Sequence, residues 1–154
     1  MSLRARQVDQ RKHRILDAAA CLIRETGGTD FPMLRLAEAA EVSPATPYNL
    51  FGSKEGLLYA LLTRSLDAIA ATATAFEAQD ALDRVIEAGD KAAEVFISDP
   101  DYIRPLYRHL LGVGNAIYRP RLIARSLDYW REGFAAPRSA ALLDANFDLD
   151  SMAY

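Results

Sequence analysis

The segment Ser43-Pro44-Ala45-Thr46-Pro47-Tyr48-Asn49-Leu50 opens a short helix abruptly, with only the turn Glu41-Val42-Ser43 separating it from another short helical stretch. Ser43 is a good N-cap, because its hydroxyl can accept from a free backbone N–H of the first turn. Pro44 then falls at the first helical position, where a missing N–H costs nothing. Counted from that cap, Pro47 is the fourth helical residue and forfeits the first bond of the ladder, back to the Ser43 carbonyl. The helix tolerates it because only that bond is at stake. Two short helices joined this tightly have the grammar of a helix-turn-helix.

The flanking sequence supplies helices for this unit to pack against. Over residues 7–26, Ile15, Ala18, Ala19, Leu22 and Ile23 recur at three- and four-residue spacing, and Gly27-Gly28 closes the segment. Cys21 lies among alanines there and reads as a small buried apolar residue. Phe31-Pro32 opens a second helix over residues 33–40 with Met33, Leu36, Ala37 and Ala40 inward, and Val42 is the apolar plug of the turn. A longer helix from Ser53 carries Leu57, Leu58, Leu61, Leu62, Leu66 and Ile69 on one stripe. Lys54 stands in its first turn, where a cation opposes the helix dipole at a cost of about 0.3–1 kcal/mol, so a negative partner is expected. A DNA phosphate would serve, and so would a nearby acid or simply water.

The second half is helical as well, with no alternation long enough to argue for a sheet. A fifth helix over residues 81–97 is expected to turn Leu82, Val85, Ile86, Ala93, Phe96 and Ile97 inward, and Ser98-Asp99-Pro100 ends it. Another starts near Arg104-Pro105 and carries Leu106, Tyr107, Leu110 and Leu111. A last one starts at Arg119-Pro120, carries Leu122, Ile123, Leu127, Trp130 and Phe134, and stops before Pro137. The fold class is all-α: a three-helix helix-turn-helix domain over residues 1–53 joined to a larger helical domain over residues 54–154.

With 154 residues, 51% of them hydrophobic, the chain can bury a core and is expected to be globular. Its apolar runs fall short of the ~20 residues a membrane span requires, and its start lacks the apolar core of a signal peptide. A cytoplasmic protein without membrane association is expected. One cysteine rules out an internal disulfide framework and a cysteine-based zinc site. The net charge of −3 argues at first against nucleic acid, but the charge is uneven. Residues 1–14 hold Arg4, Arg6, Arg11, Lys12 and Arg14 against Asp9 alone, while the chain beyond Arg64 is acidic. Because charges farther than ~8 Å are screened at physiological salt, a basic module on an acidic body can still hold phosphate.

Taken together, Ile15-Leu16-Asp17-Ala18-Ala19, Leu36-Ala37-Glu38-Ala39-Ala40-Glu41-Val42-Ser43 and Thr46-Pro47-Tyr48-Asn49-Leu50-Phe51-Gly52-Ser53-Lys54-Glu55-Gly56-Leu57-Leu58 resemble, in order and spacing, the DNA-binding domain of TetR-type bacterial transcriptional regulators. The resemblance covers residues 11–62. It implies that Pro44, Ala45, Thr46, Tyr48 and Asn49 face the groove or the DNA backbone, and that Lys54 meets a phosphate. Thr46 can reach a base edge or phosphate, Tyr48 offers a hydroxyl, and Ala45 can touch a thymine methyl. With no Arg, Gln or Lys in that helix, base reading is expected to rest on small contacts and DNA shape.

Three positions depart from the pattern. Glu41 stands where the family has a turn glycine, and a left-handed conformation there carries roughly 1–2 kcal/mol of strain. Phe31 replaces a threonine that often contacts phosphate, leaving Arg35 as a candidate substitute. Pro47 replaces a common leucine. The chain also looks short for the family, ending where the closing helices of the dimer bundle are expected; either these are missing or the protein dimerises differently.

The resemblance implies a homodimeric repressor that binds a palindromic duplex and is released by a small apolar or aromatic inducer, with no cofactor. For the inducer pocket the candidates are Phe96, Tyr102, Tyr107, Tyr118, Tyr129 and Trp130, with His109 as a polar member; as plain core residues they would satisfy the same spacing. An enzyme is the weaker reading, because His13 and His109 stand in different modules and neither belongs to a metal-ligand or nucleophile motif. A helical interaction or ligand-binding module without a DNA role remains the alternative, although it leaves the basic front and Lys54 unexplained.

Overall fold

The computed structural model describes residues 3–73, 81–112 and 116–134. Among the described residues there are seven helices and no strand: α1 (Leu3–Thr26), α2 (Met33–Ala39), α3 (Ala45–Phe51), α4 (Lys54–Ala73), α5 (Ala81–Ser98), α6 (Pro100–Leu111) and α7 (Tyr118–Phe134). None is long and apolar enough to cross a membrane.

α1 begins earlier than its apolar spacing suggests. Residues 3–14 continue the helix as an exposed stem, and the buried face starts at Ile15. The helix stops where expected, with Gly27 at φ 66° and its N–H donating to the Ile23 carbonyl at 2.8 Å. Cys21 is exposed, not buried. Ile15, Leu16, Ala19, Ala20, Leu22 and Ile23 form the buried stripe. At ~100° per residue Cys21 points almost directly away from the centre of that stripe.

α2 turns Met33, Leu36, Ala37 and Ala40 inward as expected, and α4 buries Leu57, Leu58, Leu61 and Leu62 completely. All of these side chains but Ala37 join Ile103, Leu106 and Leu110 of α6 and Leu122 of α7 in one continuous cluster. The expected division between residues 53 and 54 falls at the start of α4, and the buried cluster runs straight across it. α4 packs against α1 and α3 and also against α5, α6 and α7. Arg64 of α4 donates to Asp17 of α1 at 2.7 Å, and Arg125 of α7 to Asp67 of α4.

The inward face of α5 differs from expectation. Ile86, Ala93, Phe96 and Ile97 are exposed, whereas Ala88 is buried and Val95 packs against the core. α5 is apolar on two sides, and the side with the small Ala88 is the one its neighbours cover; a small residue lets a helix approach closely. α6 starts at Pro100, with Asp99 alone between it and α5, so Pro105 lies inside the helix instead of near its start. In α7, Leu122 is buried, Leu127 half-buried and Ile123 exposed. The side chains of Ile69, Leu82, Val85, Trp130 and Phe134 lie outside the described residues.

Candidate nucleic-acid interface

The turn between α2 and α3 is built by backbone geometry. Glu41 adopts φ 52°, its N–H donates to the Glu38 carbonyl at 3.0 Å, and the Val42 N–H donates to the Ala37 carbonyl at 3.0 Å. This pair of bonds is a Schellman cap, whose left-handed residue is usually glycine and whose next residue makes an apolar contact. Val42 fills that role, half-buried against the core. The left-handed conformation expected at Glu41 is therefore present, and it closes α2.

Ser43 does not cap α3 as expected. No side chain caps the start of the helix, and the Ser43 hydroxyl bonds the Thr46 hydroxyl at 2.7 Å. Pro44 is already helical at φ −55°, ψ −28°, and the Thr46 N–H donates to the Ser43 carbonyl at 2.9 Å. That bond satisfies the acceptor Pro47 cannot serve. Pro47 itself is fully buried, so it packs inward. Pro44, Ala45 and Asn49 are exposed and Tyr48 is 50% exposed, giving α3 a solvent face of these four residues. Thr46 is half-buried, its hydroxyl engaged by Ser43.

Gly52, at φ 78°, ends α3 with its N–H donating to the Tyr48 carbonyl at 2.8 Å. Ser53 then caps α4 with both of its oxygens. Its hydroxyl accepts from the Gly56 N–H at 3.0 Å and its carbonyl from the Leu57 N–H at 3.0 Å. The Glu55 carboxyl is held below the usual carboxylate range, first by its own backbone N–H and then by the Ser53 hydroxyl. Lys54 is half-buried, with Nζ 4.9 Å from the centroid of the Phe31 ring. The sequence reading missed this platform; the Phe-Pro step opening α2 was visible, but the pairing of residues 31 and 54 is a tertiary contact.

Arg35 is exposed on α2, with its guanidinium 3.9 Å from the Glu25 carboxylate. On the α1 stem, Gln7, Gln10, Arg11 and Arg14 line an open concavity of about 440 Å³, and the His13 ring bonds back to the Asp9 carbonyl at 2.9 Å.

The candidate pocket residues occupy separate places. Tyr102 is in the core, its hydroxyl donating to the Leu61 carbonyl at 3.3 Å. The rings of Phe96 and Tyr107 meet at a tilt of 55°, centroids 4.7 Å apart, and burial pushes the Tyr107 phenol up from its ordinary value. Tyr118 packs on Tyr59 of α4, centroids 5.1 Å apart. His109 faces the loop after α1, its Nδ1 3.2 Å from the buried Thr29 hydroxyl, in a crevice of about 320 Å³ shared with Gly27, Gly28, Asp30, Pro105 and Arg108. The side chains of Tyr129 and Trp130 lie outside the described residues. Among the described residues no cluster of His, Cys, Asp and Glu is placed to hold a metal.

Residues 15–61 match the sequence profile of the bacterial regulatory proteins of the tetR family. The chain is also 37% identical over 60 residues to the HTH-type transcriptional regulator HbdR of Aromatoleum sp. (strain CIB). That stretch is 39% of this chain and 26% of HbdR, so the match spans about a quarter of the relative. No solved structure matches the chain.

Proposed function

We propose that residues 15–61, which match the tetR family profile, form a DNA-binding domain, and that the protein is a DNA-binding transcriptional regulator acting as a homodimeric repressor. The observation that carries the reading is the outward face of α3. Pro44, Ala45, Tyr48 and Asn49 are all solvent-exposed on a helix whose opposite side is anchored by buried Pro47, and Lys54 follows at the start of α4. Such a face offers small apolar and hydroxyl contacts to base edges, and Tyr48, Lys54, Arg35 and the basic α1 stem supply phosphate contacts. Two copies would set their α3 helices ~34–36 Å apart in successive major grooves of a near-palindrome. In this reading residues 1–53 bind DNA and residues 54–154 bind ligand and dimerise. Regulators of this kind are in general not enzymes.

A small apolar or aromatic ligand would release the DNA by binding the non-DNA conformation better, a coupling of ~1–3 kcal/mol. The exposed Phe96, the half-buried Tyr107 it touches and His109 are the candidate contacts best placed to meet such a ligand, since all three sit on the adjoining helices α5 and α6.

The test is fluorescence anisotropy of the full chain with duplexes from its own upstream DNA. Affinity should fall steeply with added salt, and Tyr48→Ala combined with Lys54→Ala should abolish binding while circular dichroism and melting stay those of the parent. Binding by the double variant at parental strength sinks the assigned surface.

A further inference from the structure

Resting on the DNA-binding reading above, we propose that Phe31 is a positioning residue. Its ring holds the Lys54 ammonium at the protein surface for a DNA phosphate, in place of the hydroxyl contact a threonine would make there.

Phe31 is 3% exposed and belongs to the continuous core cluster. It also precedes Pro32, and a residue before proline is confined to extended backbone, so both ends of the side chain's freedom are restricted. The ring is thus a rigid platform. The ammonium of Lys54 lies 4.9 Å from its centroid, within the distance at which a cation is attracted by the π face. Among the described residues no carboxylate lies within ion-pair distance of that ammonium. A ring face attracts the charge without neutralising it and leaves N–H donors free for phosphate oxygens. A carboxylate partner would have spent both.

The same arrangement answers two other features of this corner. α2 begins at Met33, and its N-cap residue Pro32 makes no side-chain cap bond. Lys54 also sits at the unfavourable end of the α4 dipole, where its position needs a counterweight. The π face supplies one in the free protein, and a phosphate supplies another in the complex. Without the ring, Lys54 is a long side chain with many rotamers, and ordering it on binding weakens the contact.

The experiment is a double-mutant cycle with the full chain and a duplex it enriches from a randomised DNA pool. Phe31→Leu should weaken binding about two- to fivefold when Lys54 is present. In the Lys54→Met background it should have no effect, and Phe31→Tyr should bind as the parent. The Lys54 methylene protons should show an upfield ring-current shift in the parent that disappears in Phe31→Leu. Should Phe31→Leu melt the front of the chain, site-specific replacement of Phe31 by a perfluorinated ring keeps the shape, drains the π face and should give the same loss. An equal loss in both Lys54 backgrounds, or no loss in either, overturns the positioning role. If Lys54→Met binds as the parent, the role of Lys54 falls with it while the DNA reading stands. If the parent enriches no duplex, both readings fall.

Discussion

Arg24 of α1 and Asp99, the residue joining α5 to α6, form a doubly hydrogen-bonded ion pair. Nε and Nη2 of Arg24 donate to the same carboxylate oxygen at 2.9 and 2.6 Å. The guanidinium also lies 4.8 Å from the centroid of the Tyr102 ring, and its pKa is raised chiefly by the hydrogen bond to Asp99. Asp99 stands where a helix cap is expected, yet it makes no side-chain cap bond to α6. Its carboxylate is spent on tying the front of the chain to the body.

Both partners are partly exposed, at 44% and 32%, so the pair is worth far less than a buried one. Arg24→Gln and Asp99→Asn should each lower stability by about 1 kcal/mol, and the double variant should lose little more than either alone. Urea denaturation of the four proteins measures this. Full additivity would mean that the two groups do not act through each other.

Glu41→Gly should stabilise the protein. A non-glycine residue in the left-handed region costs roughly 1–2 kcal/mol, and glycine returns part of that gain as unfolded-state entropy, leaving a net of about 0.5–1 kcal/mol. The midpoint of urea unfolding should rise with unchanged slope. A fall would show that the exposed Glu41 side chain makes a favourable interaction outweighing its backbone strain.

The depressed Glu55 carboxyl gives a pH-dependent contribution. Its folded pKa is below its unfolded value, so its stabilising effect is present above the ordinary carboxylate range and is lost as pH falls through the folded pKa. Glu55→Gln should therefore be less stable than the parent at pH 7. The gap should close steadily as thermal melts are taken to lower pH, below the ordinary carboxylate range. A gap that stays constant with pH would place the effect elsewhere than in the charge.

Gly56→Ala tests the contact between α3 and α4. Alanine ordinarily favours a helix interior over glycine by about 1 kcal/mol. Here an added Cβ would overlap the Phe51 carbonyl oxygen and come within 3.1 Å of the Tyr118 hydroxyl. The obstructing atom is backbone, so no rotamer relieves it, and a net destabilisation of about 1–3 kcal/mol is expected. DNA affinity should fall further than stability alone explains, because the end of α3 must move away from α4. A variant more stable than the parent would contradict the close packing.

Much of the DNA-binding corner was legible in the residues, because its signals are local. The stop at Gly27, the inward face of Met33, Leu36, Ala37 and Ala40 and the leucine stripe of α4 each follow from spacing or backbone preference within one or two turns, whereas the left-handed Glu41 is expected only from the resemblance, which has glycine there. An outward role for Pro44, Ala45, Thr46, Tyr48 and Asn49 is what the family resemblance implies, and all but the half-buried Thr46 are exposed. What the sequence determined by itself is therefore the set of helices and the chemistry each outward face of the front module presents.

The tertiary structure decided what local pattern leaves degenerate. α5 is apolar on two sides, and its neighbours cover the side with Ala88 while Ile86 and Ile97 remain in solvent. Ser43, with the composition of a cap, gives its hydroxyl to Thr46 instead. Asp99 serves Arg24, and Lys54 rests on Phe31, in pairs far apart along the chain. Periodicity reports that a helix has an apolar face; which face is buried, and which distant side chain a charge meets, is set by the packing of whole helices, where the area buried and the closeness of approach are gained together.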